Sequence, residues 1–368
     1  MPTDPTSWAL ERRATTAHGQ IAWDRLGKGP SVVLVHGTPS RSVLWRDVAP
    51  RLAERFTVYV FDLLGFGQSE RHERQQLSIR VHGEVLAELV DLWNIPAPVL
   101  VGHDIGGAAV LRAHLLHAVP ARKLALIDAV VLAPWITATT RHIKAHLDVY
   151  QTMPTHIFRE VAAAHLRTAT AQPMPTAVFA AYFDQWGGER GHRLWLRNVA
   201  GFDKQDATEF EPLLGGMQTP VRVVWGEHDR WLPLEVSAEI QARLPTPTGS
   251  SSQTQGTSPP RTSPPRSPRR SSSWRREARR RRPGRPDPGS CRPTSTALES
   301  SSPRRPPRTP GSSSSPSLAT APRWLIAREL DLGGALADEP TASPCVILGG
   351  GAWGSTPPST PSLRSIAG

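Results

Sequence analysis

Cysteine is nearly absent. The 368-residue chain holds two, Cys291 and Cys345, and none in its first 245 residues, which is compatible with a reducing cytosol and gives a disulfide framework nothing to build on there. No run approaches the roughly 18 apolar residues of a membrane-spanning helix. The opening Met1-Pro2-Thr3-Asp4-Pro5 lacks a basic stretch followed by an apolar one, so no secretory signal is read. These absences predict a soluble, cytoplasmic protein without a membrane partner. No internal repeat and no metal-ligand cluster is present, and the sequence calls for no metal and no cofactor. Histidine, finally, does not occur beyond His228.

What is present is a set of ordered blocks. The apolar run Pro98-Val99-Leu100-Val101 turns through Gly102-His103-Asp104-Ile105-Gly106-Gly107 into the helix-forming stretch 108–116. A strand, a sharp turn and a helix in this order make a nucleophile elbow, in which small residues two before and two after the apex let the turn close. The apex residue is Asp104. A carboxylate with an intrinsic pKa of roughly 4 needs no base to remove a proton, so it can attack an alkyl carbon directly and form an ester. Upstream, the β-branched run Ser31-Val32-Val33-Leu34-Val35 leads into His36-Gly37-Thr38-Pro39, and Phe56-Thr57-Val58-Tyr59-Val60-Phe61 leads into Asp62-Leu63-Leu64-Gly65-Phe66-Gly67-Gln68-Ser69. Downstream, Pro220-Val221-Arg222-Val223-Val224-Trp225 delivers Gly226-Glu227-His228-Asp229. Each run has the composition of a buried strand.

The order HG-x-P, D-x-x-G-x-G-x-S, G-x-D-x-G and G-x-x-D resembles the α/β-hydrolase superfamily, in the branch that contains epoxide hydrolases and haloalkane dehalogenases. The resemblance runs from about residue 20 to about residue 244. It implies an α/β-hydrolase fold with a mostly parallel sheet and a helical cap. It further implies Asp104 as nucleophile, backbone N–H groups of Thr38 and Ile105 as the oxyanion site, and Asp229 as the acid that orients a catalytic histidine. Asp128, at the end of the run 124–132, is the alternative acid. His36 and His103 flank active-site turns and are expected to hold backbone geometry, as Asp62 is expected to fix its glycine-rich turn.

The third triad member is where the chain departs from the resemblance. Family order is nucleophile, acid, histidine, yet no histidine follows the acid block. His228, adjacent to Asp229, is a poor substitute because its side chain is expected to point elsewhere. The family's last strand and closing helix are also missing from the reading. Residues 246–368 are rich in Pro, Ser and Arg and are expected to be a disordered tail. Residues 1–245 hold 25 Lys and Arg against 25 Asp and Glu; the tail holds 18 against 7, all of its cations arginine. The net charge of +11 therefore belongs to the tail. It reads either as an arm that binds polyanions such as nucleic acid or, the favoured reading, as a shifted frame in a GC-rich gene. In the latter case the charge is no guide to partners.

Residues 1–245 are long enough for one α/β domain with an insertion, and a cap is expected at about 134–217, with amphipathic helices near 142–150, 156–166 and 177–186. Tyr150 and Tyr182 in the cap are the candidate donors to a substrate oxygen, and Trp135 and Trp186, with Trp195 and Trp231, are expected to line or pack the substrate pocket. The resemblance puts a tryptophan after the nucleophile in haloalkane dehalogenases and an arginine in fluoroacetate dehalogenases; this chain has Ile105. The expectation is an epoxide-hydrolase-like enzyme before a dehalogenase-like one, acting on a small apolar substrate and impaired by the missing histidine. The alternative is a noncatalytic ligand-binding scaffold with a polyanion-binding arm.

Overall fold

The structure, a computed structural model, describes residues 4–245 and the segment Cys345–Leu348. A β-hairpin of β1 (Arg12–Thr16) and β2 (Gly19–Leu26) precedes β3 (Ser31–Val35). The short α1 (Ala49–Leu52) leads into β4 (Thr57–Phe61), and α2 (Ile79–Leu92) leads into β5 (Val99–Asp104). Then come α3 (Ile105–Leu115) and β6 (Lys123–Ala129). Five helices form the insertion: α4 (Ala138–Ala145), α5 (Leu147–Thr152), α6 (Thr155–Arg167), α7 (Thr176–Phe183) and α8 (Gly188–Ala200). The chain returns through α9 (Gln205–Thr208) to β7 (Val221–Gly226) and α10 (Leu234–Arg243), and β8 (Cys345–Leu348) completes the sheet.

The eight strands lie in the order β1-β2-β4-β3-β5-β6-β7-β8. The hairpin and its junction with β4 are antiparallel, and the rest is parallel. Parallel strands covered on both faces need continuous apolar runs rather than alternation. Val32, Val33, Leu34 and Val35 satisfy this and are fully buried. Because β3 pairs with β4 on one side and β5 on the other, the strand order reverses at the carboxyl ends of β3 and β5. Open α/β sheets place their ligands in the crevice at such a switch point. Both His36-Gly37-Thr38 and Asp104 sit there.

Several elements differ from the sequence reading. The hairpin β1–β2 was not foreseen, since its short strands are half exposed. The run 124–132 stops being a strand at Ala129, because Asp128 takes a positive φ of 41° and turns its carboxylate to accept the Gly226 N–H at 2.7 Å. The stretch 142–150 is two helices, broken at His146, whose φ of −132° and ψ of 42° are not helical. The segment 156–166 lies within α6, and 177–186 covers α7 and the short 3₁₀ turn after it. The tail reading of 246–368 lies outside the described residues except at Cys345–Leu348. There these four residues pair in parallel with β7, from Val223↔Cys345 to Gly226↔Leu348. A short apolar run of four residues in a Pro- and Ser-rich context carries too little periodicity to be read as a strand.

Two glycines allow the elbow to close. A Cβ on Gly106 would stand 2.5 Å from the carbonyl oxygens of both Val35 and His36, and one on Gly102 would stand 2.5 Å from the Gly106 carbonyl. These are backbone atoms of β3, the turn after it and α3, which cannot yield as a flexible side chain can. Gly106→Ala is therefore expected to lower stability by about 3 kcal/mol or more, read as a fall in denaturation midpoint. Gly216→Ala, where a Cβ meets nothing within 4 Å, is the control and should stay within about 0.5 kcal/mol of the parent. Equal effects of the two substitutions would contradict the close-packing account.

Candidate active site

Asp104 ends β5 and caps α3 with φ 53° and ψ −126°. A non-glycine residue held at positive φ is strained, and such strain persists only where surrounding contacts over-determine it. Here they do. The Thr38 N–H donates to Asp104 Oδ2 at 2.7 Å, and the Ile105 N–H also donates to the carboxylate. Lying at the N-terminus of α3 adds the favourable end of the helix dipole. Burial nevertheless dominates and, with the charge of Asp229 adding to it, pushes the Asp104 carboxyl up to about 7 against the opposing N–H bonds. The expectation of a pKa near 4 is thus corrected: desolvation disfavours the charged form more than two N–H donors favour it.

Two further carboxylates approach from the neighbouring strands. Asp229, on the turn after β7, accepts N–H bonds from Trp231 at 2.7 Å and Leu232 at 3.0 Å, and burial raises its pKa. Asp128, next to the last residue of β6, is pushed up to about 7 by burial and then by Asp229, with the Gly226 N–H pulling the other way. The charge of Asp229 thus acts on both Asp104 and Asp128. The histidines flanking the turns are held otherwise. His36 is fully buried; its Nδ1–H donates to the Gly37 carbonyl at 2.9 Å while Nε2 accepts the Leu63 N–H at 2.8 Å, which makes it a neutral spacer between two loops. Burial pulls His103 down to about 4. His228 is exposed. Asp62 accepts the N–H groups of Ser42 and Gln68, each at 2.7 Å, and so holds its turn.

A small cavity of about 40 Å³, open to solvent, lies between this end of the sheet and the cap. Asp104, Thr38, Ile105, Trp135 and Trp186 all line it, with Trp195 and Trp231. Asp229 does not; Trp231 and Leu232, whose N–H groups it holds, do. Neither candidate tyrosine lines it. Tyr182 is buried with its hydroxyl accepting from Arg46 Nη1 at 3.3 Å. Tyr150 packs edge-on against His142 and Phe158.

Other lining residues had no signal in the sequence. Asn198 and Val199 come from α8, which carries no motif. His165, on α6, lines the cavity, stacks on Trp231 with ring centroids 4.5 Å apart, and shares a 3.3 Å hydrogen bond with Thr140. Burial pulls it down to about 4, so it is neutral at physiological pH. Gln185 was also missed. Its Nε2 donates to the Pro39, Ser40 and Tyr182 carbonyls and its Oε1 accepts the Gly67 N–H at 2.7 Å. Together with Trp186 Nε1–H donating to the Pro39 carbonyl at 2.9 Å, it clamps the cap to the loop that presents Thr38. Among the described residues no group of three metal-ligating side chains is found, and no helix is long and apolar enough to cross a membrane.

Comparison with known proteins agrees with this architecture. An uncharacterized protein of Mycobacterium tuberculosis is 36% identical over 98 residues, which cover 26% of this chain and 28% of that protein, so the match spans well under two-thirds of that relative. Haloalkane dehalogenase 2 of Mycobacterium tuberculosis is 28% identical over 258 residues, covering 66% of this chain and 87% of that protein. The crystal structure of an alpha/beta hydrolase fold protein from Burkholderia ambifaria superposes with a TM-score of 0.62 at 35% identity, over 64% of this chain and 87% of the other. The family model of the alpha/beta hydrolase fold matches residues 30–248, and with the elbow, the switch point and the helical insertion in place, the chain belongs to the α/β-hydrolase family.

Proposed function

We propose that this hydrolase acts on small, neutral alkyl electrophiles through Asp104, which attacks carbon and becomes an alkyl ester. The observation that carries the reading is the carboxylate at the apex of the elbow, held at Oδ2 by the Thr38 N–H and facing a largely apolar cavity. In this arrangement one carboxylate oxygen attacks while the other stays with the backbone donors. The ester carbonyl then inherits those donors, which is the geometry that stabilises a later tetrahedral oxyanion. Exclusion of water by the cap keeps the nucleophile poorly solvated.

Between the two substrate classes, the side-chain placement favours halides over epoxides. Epoxide opening requires a proton for the departing alkoxide, and the two cap tyrosines that would have supplied it are turned away from the cavity. A halide leaves as a stable anion. Similarity to haloalkane dehalogenase 2 over two-thirds of the chain supports the same choice. For the hydrolytic half-reaction, β8 takes the place of the family's last strand, but the residues after Leu348 include no histidine. His165, the histidine lining the cavity, is committed to Thr140 and Trp231. The ester is therefore expected to persist, at one alkyl group per chain.

Incubation with 1-bromobutane followed by peptide mass spectrometry tests this. The expected adduct is on Asp104 and absent from Asp104→Ala; alkylation elsewhere that survives this substitution would overturn the nucleophile. The rate of alkylation should rise about tenfold per pH unit below pH 7 and level off above it, because only the carboxylate form attacks and Asp104 titrates near 7. A rate that is flat from pH 5 to 8 would contradict the raised pKa.

The same shift sets a pH dependence of stability. Unfolded, the Asp104 carboxyl loses its proton near pH 4; folded, it keeps it to about 7. The folded state thus binds more protons between these values, and stability falls as pH rises through that window. Asp104→Asn removes the contribution. The variant should exceed the parent by on the order of a few kcal/mol at pH 8, the difference vanishing near pH 4, as read by urea unfolding. An equal difference at both pH values would refute the buried-charge account.

A further inference from the structure

The cavity that Asp104 lines has a neighbour. A second space of about 10 Å³ is lined by Phe66, Leu77, Ser78, His82, Asn198 and Phe202, and two of these, Asn198 and Phe202, also line the first. The two spaces share that wall. Their other walls touch as well: the Phe66 ring meets Trp186 of the first cavity edge-on at 5.6 Å, and Phe202 meets Trp135 in the same way at 5.5 Å. The second space carries no charge. His82 is its one titratable group, and burial, followed by the charges of His36, His18 and Arg197, pulls that imidazole down to about 3, so it is neutral at physiological pH.

Phe202 is fixed where it stands. It follows α8 at the point where that helix abuts the residues leading into α2: a Cβ on Gly201 would stand 2.0 Å from the Leu77 carbonyl oxygen. On the other side the Phe202 carbonyl accepts from Lys144 Nζ of α4, and the ring is buried against Trp135. Behind it lie Phe66 and Leu77, both buried, an apolar surface of the kind that takes an alkyl chain out of water. Of the two shared residues Phe202 is the larger and the apolar one, so its ring decides how far such a chain can run.

We propose that Phe202 sets the length of alkyl chain this protein accepts: it closes the Asp104 cavity against the space lined by Phe66 and Leu77, which restricts the substrates to short-chain halides. A smaller residue at this position joins the two spaces and admits longer chains. The reaction part of this rests on the reading of Asp104 as nucleophile; the shape of the cavity does not. The wall acts on the part of the substrate remote from the reacting carbon. The bond formed to a carboxylate oxygen of Asp104 and the carbon–halogen bond broken are the same for every chain length, so the effect is on which chain is accommodated.

The test has a reaction arm and a binding arm, both on the full chain. In the first, single-turnover bromide release is measured for 1-bromobutane and 1-bromooctane below saturation, and the parent should favour the butyl compound. Phe202→Ala should raise the octyl rate relative to the butyl rate by about tenfold or more, because a single methylene accommodated by an apolar pocket is worth at least about that factor. Phe202→Leu, a milder change that serves if the alanine variant unfolds, should move the ratio in the same direction. Val199→Ala enlarges the first cavity without touching the second and should keep the parent ratio. Leu77→Phe fills the second space alone and should cancel the gain when combined with Phe202→Ala. In the binding arm, 1-butanol and 1-octanol, which do not alkylate, are titrated into Asp104→Asn with and without Phe202→Ala and followed by tryptophan fluorescence; the octanol preference should rise with the second substitution. An unchanged ratio in both variants at position 202, an equal gain in Val199→Ala, or an unchanged alcohol preference overturns the proposal. Failure of the parent to alkylate at Asp104, with the alcohol preference shifting as expected, would refute the nucleophile reading alone and leave the role of Phe202 in place.

Discussion

The structure depends on burying one carboxylate at the sharpest turn of its sheet. Asp104 is held at positive φ where β5 meets α3, and its Oδ2 fits against the Thr38 N–H only because the central backbones approach to distances that exclude any side chain at Gly102 and Gly106. Burial of a charge disfavours its ionised form, and hydrogen bonding restores part of what is lost. The balance struck here leaves the group near its midpoint at neutral pH. Close packing of the parallel strands, the strain at the elbow and the raised pKa of its apex are thus one constraint seen at three scales.

The cap answers a different requirement. A carboxylate at the switch point of an open sheet would be solvated unless something covered it, and the covering element must itself be fixed relative to the loop that presents Thr38. Gln185 and Trp186 do this by bonding to the carbonyls of Pro39 and Ser40. On the return side, the buried Arg112 of α3 donates to the Asp206 carbonyl at 2.8 Å and pairs with Glu209 at 2.7 Å, while Asp206 accepts the Ile79 N–H of α2 at 3.1 Å. The insertion is therefore tied to the loop after β3 through Gln185 and Trp186, and its return segment to α2 and α3 through Asp206 and Glu209. Removing one partner of a buried pair such as that of Arg112 is costly because the other is left uncompensated.

The three carboxylates give the site its electrostatic character. Asp104, Asp128 and Asp229 stand at the ends of adjacent strands β5, β6 and the turn after β7, and each raises or is raised by another. No cation lines the cavity beside them.

The sequence by itself determined the parallel core strands, the elbow and the identity of Asp104, because these depend on local patterns: continuous β-branched runs, and small residues two before and after an apex. Asp62 and His36 were legible as holders of turns for the same reason. The tertiary structure alone decided which cap residues line the cavity with Asp104. Tyr150 and Tyr182 have the right chemistry in the right segment, yet helix orientation turns both away, while Asn198 and His165, which no motif marks, face the cavity. It also decided the pKa of Asp104, which reflects desolvation by residues far apart in the chain, and the pairing of Cys345–Leu348 with β7. Strand pairing across more than a hundred intervening residues, and the burial of one charge by many neighbours, are non-local, and no window of sequence contains them.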